Sequence, residues 1–336
     1  MKKAILIFII LTGFIYTEAQ QLPLYSQYLT NNFLINPAVA GSHNVTSVKL
    51  TVRNQWTGFN NPPKTQVLSS HTRIERAGFY NKRGLINAKT EFDKKGNIIR
   101  TQRMGSSGRI GVGGYVFNDK VGPISKTGIN FAYSYHIPFS ITHHSKRFLS
   151  PPQISIGVAT SLFQFAIDER DLVLFESNDP IISYGKETAF VPDLNVGIFI
   201  YAPKYFLGVS SLHILESKIK FHENSKNNMI RHFFANAGFA FVVEEILIEP
   251  SVLIKATEIT PIQFDFNTKL QIRNISFAIS YRTNKSMIFI FDILYGWYYF
   301  GYSYDYSTNN ILNYAGGSHE IVVGINLPKT RRKKKK

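Results

Sequence analysis

From about residue 108 to residue 327, nearly every candidate strand segment alternates apolar residues with polar or small ones. In residues 127–137 the apolar positions are Ile129, Phe131, Tyr133, Tyr135 and Ile137. The same period of two recurs in residues 263–272, 274–282 and 318–327. This period predicts β-strands with one apolar and one wet face, and no stretch is long enough to be a transmembrane helix. Strands of about ten residues repeated this often, behind an export signal, predict an all-β fold, a transmembrane antiparallel outer-membrane β-barrel.

The strand count follows from the same alternation, interrupted by turn-forming residues. We place strands at residues 46–55, 65–75, 108–118, 126–138, 152–166, 188–201, 204–214, 230–242, 246–255, 263–273, 274–283, 286–295, 296–306 and 317–327. Turns are predicted where Pro, Asn or Lys interrupts the alternation, at residues 60–63, 202–204, 273–274 and 283–285. The count is about 14, and an even number returns the C-terminus to the periplasmic side on which the N-terminus starts.

The two ends of the chain differ from the barrel in composition. Residues 1–19 carry Lys2 and Lys3, an apolar run and the small residues Thr17 and Ala19, which predicts a cleaved signal peptide. The alternative is a membrane anchor, but the apolar run is too short to span comfortably. Residues 20–44 are polar, and we expect them to lie in the barrel mouth as a lumen plug or to line its periplasmic end. We therefore assign residues 45–327 to one barrel domain and residues 328–336 to a basic periplasmic tail.

The net charge of +16 is unevenly distributed. Seven positive residues lie in the tail, namely Lys329, Arg331, Arg332, Lys333, Lys334, Lys335 and Lys336. A second basic cluster runs from Arg73 to Arg109. Because an exported protein meets no cytoplasmic nucleic acid, the expected partners are lipid phosphates, glycans, peptidoglycan or acidic proteins. A solvated tail with no specific role is the alternative. Aromatic residues make up 14% of the chain, which suits the aromatic girdles of a membrane barrel.

The sequence contains few features that would support an enzymatic function. The absence of Cys excludes disulfides, thiol catalysis and Cys-ligated metals. Ser70 and His71 are adjacent on a strand, so their side chains point to opposite faces and cannot form a dyad. His143 and His144 lack carboxylates at useful spacing and make a poor metal site. No hydrolase, metalloprotease or phosphate-binding motif is present. We predict a protein that is not an enzyme and uses no cofactor or metal.

Several motifs, in order along the chain, carry a family resemblance. They are Tyr-Ser-Gln-Tyr at 25–28, Asn-Pro-Ala-Val-Ala-Gly-Ser at 36–42, Arg-Asn-Gln-Trp-Thr-Gly-Phe at 53–59, Phe-Asn-Asp-Lys-Val-Gly-Pro at 117–123, and Gly-Tyr-Ser-Tyr-Asp-Tyr-Ser at 301–307 followed by Ser-His-Glu-Ile at 318–321. Together they resemble the PorP/SprF family of outer-membrane proteins in the type IX secretion system of Bacteroidetes. One departure is the end of the chain. Family members commonly stop at an aromatic residue of the last strand, whereas Leu327 is followed here by the basic tail, which suggests an added periplasmic contact.

From these motifs we select candidate contacts with a partner or with the lumen: Gln27, Tyr28, Asn36, Pro37, Gln55, Trp56, Phe59, Asn118, Asp119, Tyr304, Asp305 and Glu320. For Trp56 and Phe59, the alternative to a partner anchor is an interfacial aromatic beside a rigid turn. For Asp119, the alternative to a cation or partner contact is the capping of a tight turn. Alternation turns Tyr304 toward lipid and Asp305 inward, where it is expected to join Glu320 and an interior cation such as Arg282 in a structural network.

The resemblance implies a non-enzymatic component of the type IX secretion system. Its expected partners are the periplasmic ring lipoproteins, which it would tether to the outer membrane, or a large secreted adhesin-like cargo, which it would help to export and attach. Outer-membrane lipid and a peptidoglycan-associated protein are further expected partners. The rival is a diffusion channel for small solutes. Residues 20–41 discriminate the two, because conduction is blocked if they fill the lumen with the inward aromatics Phe163, Phe165, Phe199 and Tyr201.

Overall fold

A computed structural model describes residues 26–43, 45–59, 61–74, 91–92, 98–100, 109–139, 152–168, 186–219, 227–308 and 316–328. One antiparallel sheet closes into a ring of 14 strands. The strands are β1 Val45–Asn54, β2 Lys64–Ile74, β3 Ile110–Val121, β4 Ile124–Pro138, β5 Gln153–Asp168, β6 Lys186–Tyr201, β7 Tyr205–Leu212, β8 His232–Phe239, β9 Ile246–Thr257, β10 Gln263–Ile272, β11 Ile275–Arg282, β12 Ser286–Tyr295, β13 Tyr298–Ser307 and β14 Ser318–Pro328. The prediction of an all-β outer-membrane barrel of about 14 strands is confirmed, and each predicted strand overlaps one of these.

Each strand pairs with its neighbours in sequence, and β1 pairs with β14 from Val45 opposite Pro328 to Asn54 opposite His319. Strand β8 pairs with both β7 and β9, and beyond Ala240 it is continued by the short strand Phe241–Val243. In the described part of the chain, two small hairpins do not pair with the strands of the ring. They are formed by Glu91–Phe92 with Ile98–Arg100 and by Lys218–Ile219 with Asn227–Asn228.

The alternation of the sequence becomes an outer and an inner surface. On β4, Phe131 and Tyr133 are exposed on the outside, whereas Asn130, Ser134 and His136 are buried on the inside. Apolar side chains that would destabilise a protein in water are stable when they face lipid. No helix in the described part of the chain has the length and apolar character needed to cross a membrane.

The two ends of the barrel are named here by the chain termini. Strand β1 begins and β14 ends at what we call the terminal rim, and the opposite end is the far rim. Tight connections lie at both rims, at residues 202–204, 244–245, 273–274 and 296–297 of the terminal rim and at residues 122–123 and 283–285 of the far rim. Because the chain termini of outer-membrane barrels are periplasmic, we expect the terminal rim to be the periplasmic one.

Residues 26–43, which we call the lumen segment, lie inside the barrel. They form three 3-10 helices, Gln27–Leu29, Asn32–Leu34 and Pro37–Val39. Ser26 contacts Glu320 near the far rim, and Gly41 contacts His71 near the terminal rim. The segment therefore runs along the lumen from the far rim to the rim where β1 begins.

The hydrophobic core lies between the lumen segment and the inner faces of β2 to β8. One cluster joins Phe33 and Val39 to Ala159, Phe199 and Tyr201. A second cluster joins Leu34 to a larger set at the far-rim side: Val67, Phe117, Phe163, Ala189, Val191, Ile219 and Met229. Because both clusters need the lumen segment, this half of the barrel is packed by the chain's own N-terminal residues.

Candidate functional site

The lumen is the candidate site, because the lumen segment meets the wall through specific hydrogen bonds. The side chain of Asn36 donates to the carbonyl oxygens of Ile198, at 3.1 Å, and Val209, at 3.4 Å. Its Oδ1 accepts a bond from the Ala38 N–H at 2.9 Å and so caps the third 3-10 helix. Asn31 donates to the Ser69 hydroxyl at 3.0 Å. These bonds fix the position of the segment relative to three strands of the barrel, β2, β6 and β7.

Three serines of the wall satisfy backbone carbonyls of the lumen segment. The Ser210 hydroxyl donates to Ile35 O at 2.6 Å, Ser155 to Ala38 O at 2.8 Å, and Ser134 to Ala40 O at 2.6 Å. An irregular backbone inside a barrel has no sheet partner for such carbonyls. The serines supply the missing donors, and an unmade bond there would cost about 1–3 kcal/mol.

Glycines of the wall make room for the lumen segment. A Cβ added at Gly111 would lie 2.1 Å from Ala40 O, and one at Gly157 would lie 2.3 Å from Ala38 N. A Cβ at Gly197 would lie 2.1 Å from the Asn36 Oδ1. The segment thus approaches β3, β5 and β6 at distances that only glycine permits.

A buried ionic network closes the other half of the lumen near the far rim. Arg53 bridges Asp305, at 3.1 Å, and Glu320, at 3.3 Å. Arg282 bridges the same Asp305 and Asp265, each at 3.2 Å. Lys255 adds a further contact to Asp265 at 2.8 Å. Three cations face three carboxylates, so the charges of this network balance.

The network also holds the first described residue of the lumen segment. The Ser26 N–H donates to Glu320 Oε2 at 2.7 Å, and Arg53 donates to the Ser26 hydroxyl. Nearby, the Tyr28 hydroxyl donates to Asn267 Oδ1 at 2.8 Å. Burial raises the pKa of Tyr28, which therefore stays a neutral donor. The charged network and the lumen segment are therefore joined by hydrogen bonds near the far rim.

Near the terminal rim, Arg73 is also part of the interior. Its guanidinium donates to Tyr201 Oη at 2.8 Å, Gln153 Oε1 at 2.7 Å and Gly41 O at 3.4 Å. The sequence grouped Arg73 with a basic cluster available to outside partners, and for this residue that grouping is wrong. Its position at the end of β2 has inward parity, so the guanidinium serves the lumen segment.

A third polar group lies on the wall of β4 to β7. The ammonium of Lys126 is held over the ring of Phe163, at 4.5 Å from the centroid, and over that of Phe165, at 5.2 Å. His213 pairs with Asp193 in the same region. Among the residues that the structure describes, no group of three or more His, Asp or Glu is arranged to hold a metal ion.

A cavity of about 130 Å³ lies beside the lumen segment. Its lining includes Lys49, Glu249, Lys269, Tyr299 and Asn326. Lys49 donates to Thr30 O and lies 4.6 Å from the centroid of the Tyr299 ring. Val45 and Asn326, at the start of β1 and the end of β14, also line the cavity, so it lies on the terminal-rim side.

The structure places the predicted site residues in several parts of the barrel. Tyr28, Asn36, Pro37, Asp305 and Glu320 are buried inside the lumen. Gln55, Trp56 and Phe59 lie in the connection between β1 and β2 at the far rim, and Tyr304 faces outward on β13. Asn118 and Asp119 lie within β3. The side chain of Gln27 and the tail residues 329–336 fall outside what the structure describes.

The turn-capping interpretation of Asp119 is wrong, because Asp119 and its neighbour Asn118 lie within β3. Asp119 accepts a bond from the Thr65 hydroxyl of β2 at 2.5 Å, and Asn118 donates to the Thr127 hydroxyl of β4 at 2.8 Å. The strand continues to Val121, and Gly122 makes the turn with a φ of 57°. Both side chains therefore link neighbouring strands.

Trp56 has a backbone conformation that is unusual for an aromatic residue. Its φ is 54°, and the turn is held by bonds from Trp56 N to Ser318 Oγ at 3.2 Å and from Thr57 N to Gly317 O at 2.9 Å. These bonds join the β1–β2 connection to the start of β14. Phe59 in the same turn is 48% exposed at the far rim.

Sequence reasoning missed several members of the lumen site. Arg53, Asp265 and Lys255 were not selected, although each has inward parity on its strand. The sequence signal that could have identified them is a charged residue at an inward position of a barrel strand. Which carboxylate each cation meets depends on strand order around the ring, which parity does not give.

Comparison with known proteins identifies one matching family and several solved structures to which this chain is similar in fold, with the TM-scores and identities given below for each. A family model described as type IX secretion system membrane protein PorP/SprF matches residues 17–325. The CymD monoaromatic hydrocarbon channel has a TM-score of 0.43 and 11% identity over 90% of this chain and 92% of its own. The translocator domain of the autotransporter NalP from Neisseria meningitidis has a TM-score of 0.36 and 8% identity, with coverage of 90% and 96%. CdiB from Acinetobacter baumannii has a TM-score of 0.34 and 6% identity, with coverage of 83% and 60%. No curated protein sequence matches this chain.

Proposed function

The chain belongs to the PorP/SprF family of type IX secretion system membrane proteins, and from this membership we propose that it is a non-enzymatic anchor or adaptor for other proteins of the system. It is an outer-membrane β-barrel. The role requires a rigid barrel that presents its rims to partners. The proposed partners are the periplasmic ring lipoproteins or one large secreted cargo.

The structural observation that favours this role over conduction is the occupied lumen. The lumen segment is bonded to the wall from the Ser26–Glu320 contact to the Arg73–Gly41 contact, and it packs on Phe199 and Tyr201. A diffusion channel needs an open path for its solute, whereas an anchor or adaptor needs rigidity. The occupied lumen therefore favours binding at the rims over conduction.

Charge and topology favour the terminal rim as the partner surface. Strand β14 ends at Pro328, directly before the seven positive residues of the tail. Strand β2 ends at Ile74 and β3 begins at Ile110, so the basic sequence between them also departs from the terminal rim. The two exit points are separated only by β1. An acidic partner on the periplasmic side is the complementary surface.

The test is a crosslinked pull-down of the tagged protein from outer membranes, identified by mass spectrometry. It is run with the wild type, with a variant lacking residues 329–336, and with a control that keeps the tail length but replaces its seven positive residues with Gln. Recovery of ring lipoproteins by the wild type only would support the anchor and its electrostatic tail. Recovery of one large surface protein by all three would support a cargo adaptor. Recovery of no protein of the secretion system would overturn the proposal.

The second candidate is a diffusion channel, and the cavity on the terminal-rim side is the observation that favours it. Single-channel recording in planar bilayers separates the two functions. The anchor or adaptor function predicts that the wild type is silent at voltages at which a porin control conducts. Stable conductance steps of the wild type would favour the channel.

A further inference from the structure

The cavity of about 130 Å³ on the terminal-rim side lies between an apolar and a polar surface. The apolar surface comes from the lumen segment and from the rim between β6 and β9: Leu29, Phe33, Val39, Pro203, Ala240 and Leu247. The polar surface comes from the wall of β9, β10, β13, β14 and β1: Glu249, Lys269, Gln271, Tyr299, Asn326 and Lys49. A concave site with apolar lining and a few polar groups is the usual form of a small-molecule site.

The polar surface carries more positive than negative charge. Among the described residues that line the cavity are two ammonium groups, those of Lys49 and Lys269, and one carboxylate, that of Glu249, which is opposite Lys269 in the sheet. Lys49 is held in place because it donates to Thr30 O. Gly324, opposite Lys49, leaves room for its stem, since a Cβ there would lie 2.9 Å from the Lys49 Cγ. A carboxylate on the ligand would balance the surplus positive charge.

The lumen segment presents the opposite requirement, a buried hydrogen-bond acceptor. Asn32 lines the cavity, and its Oδ1 is buried and accepts no hydrogen bond from another described residue. Buried polar atoms normally have a partner, because an unpaired one loses its hydration without replacement. A ligand that pairs with Asn32 Oδ1 must therefore bring an N–H or O–H donor.

The volume of the cavity limits the size of the ligand. A cavity of about 150 Å³ can hold one benzene molecule, so this cavity suits a ligand with a similarly small apolar body. A second cavity of about 40 Å³, lined by Phe199 and Phe206, shares Leu29, Asn32 and Val39 with the first and adds a little space.

We propose that this cavity binds a small zwitterion of the α-amino acid class with an apolar side chain. The ligand carboxylate would accept from Lys269 and be attracted by Lys49, its ammonium group would donate to Asn32 Oδ1, and its side chain would pack on the apolar surface. A simple carboxylate lacks the donor, and a simple amine lacks the anion. An ammonium group suits the site better than a hydroxyl, because the carboxylate of Glu249 lines the same cavity.

The entrance lies at the terminal rim. Val45 at the start of β1, Pro203 between β6 and β7, and Asn326 near the end of β14 all line the cavity. Because we expect this rim to be periplasmic, the ligand would enter from the periplasm without having to pass the lumen segment.

The test is equilibrium dialysis of labelled L-valine, L-alanine and L-leucine against the full-length protein in nanodiscs, with empty nanodiscs as background. Two analogues of valine are measured in parallel: 3-methylbutanoate, which lacks the ammonium group, and isobutylamine, which lacks the carboxylate. The variants are Lys269→Gln and Asn32→Ala. The matched control is Lys204→Gln, which removes the same charge from an exposed position at the same rim. Heat-modified migration on a gel checks that each barrel is folded.

We expect Lys269→Gln to weaken the binding of valine about tenfold, which corresponds to about 1.4 kcal/mol, and Lys204→Gln to leave it unchanged. Asn32→Ala is expected to weaken valine about fivefold but to leave the weaker binding of 3-methylbutanoate unchanged, because that analogue has no donor for Asn32.

Three results would overturn the proposal. The first is that none of the three amino acids shows saturable binding to the wild type. The second is that folded Lys269→Gln binds valine as tightly as the wild type and the Lys204 control. The third is that 3-methylbutanoate or isobutylamine binds the wild type as tightly as valine, because the site would then not require a zwitterion. These outcomes do not depend on whether the protein binds other components of the secretion system.

Discussion

Replacement of Arg53 with Met tests whether the buried ionic network holds the barrel and its lumen segment together. The substitution removes the contacts to Asp305 and Glu320 and the bond to the Ser26 hydroxyl, and it leaves an apolar side chain of similar length. Glu320 then keeps its bond from the Ser26 N–H but loses the guanidinium. Removal of one partner from a buried pair typically costs about 3–5 kcal/mol, because the remaining carboxylates stay buried with one positive charge fewer beside them.

The measurement is urea unfolding of the barrel in lipid vesicles, followed by tryptophan fluorescence. The matched control is Arg273→Met, because Arg273 meets Glu245 at 3.4 Å with both side chains about three-quarters exposed. A surface pair of this kind contributes about 0–1 kcal/mol. We therefore expect the Arg53 variant to lose several times more free energy of unfolding than the control.

A second variant separates charge from packing. Arg53→Met combined with Glu320→Gln neutralises one of the two carboxylates that Arg53 contacted, and we expect it to regain part of the lost free energy of unfolding. The reasoning would be refuted by equal losses in the Arg53 and Arg273 variants. It would also be refuted if neutralising Glu320 made the Arg53 variant less stable still.

Three further predictions concern the fit of the lumen segment. Gly157→Leu would place a side chain on Ala38, so we expect it to displace the segment and produce conductance in planar bilayers, whereas Thr160→Leu, facing outward on the same strand, is expected to stay silent. Asn36→Leu removes bonds to two wall carbonyls and should cost about 1–3 kcal/mol in urea unfolding; a loss below a few tenths would show that these bonds are replaced. Phe33→Ala empties a buried site and should cost about 3–5 kcal/mol, whereas the lipid-facing Phe131→Ala should cost less.

The sequence predicted the ring of strands well because each strand carries its own signal. Alternation fixes which residues face lipid, and Tyr304 and Asp305 took opposite faces as parity required. The expectation that Asp305 would meet Arg282 also agrees with the structure, at 3.2 Å. Both residues have inward parity near the far rim, so proximity followed once the strand directions were known.

The parts that sequence reasoning missed are contacts between distant strands. The side chains of Asn118 and Asp119 bond to threonines of adjacent strands, although local chemistry suggested a turn cap. Arg73 reaches Tyr201 across the lumen, although it stands at the head of a basic run in the sequence. In both cases the neighbouring sequence suggests one role for a polar side chain, and the contacts formed in the closed ring show another.

The sequence by itself determined the approximate number of strands, their two faces and the outer-membrane class, because a period of two is a local property of the chain. Only the tertiary structure decided the content of the lumen. The course of residues 26–43 depends on Gly111, Gly157 and Gly197 leaving space, and on serines of separate strands supplying donors at matching heights. No local sequence pattern predicts that these glycines and serines lie at matching heights, because their relative positions are set only when the strands pair into a closed ring.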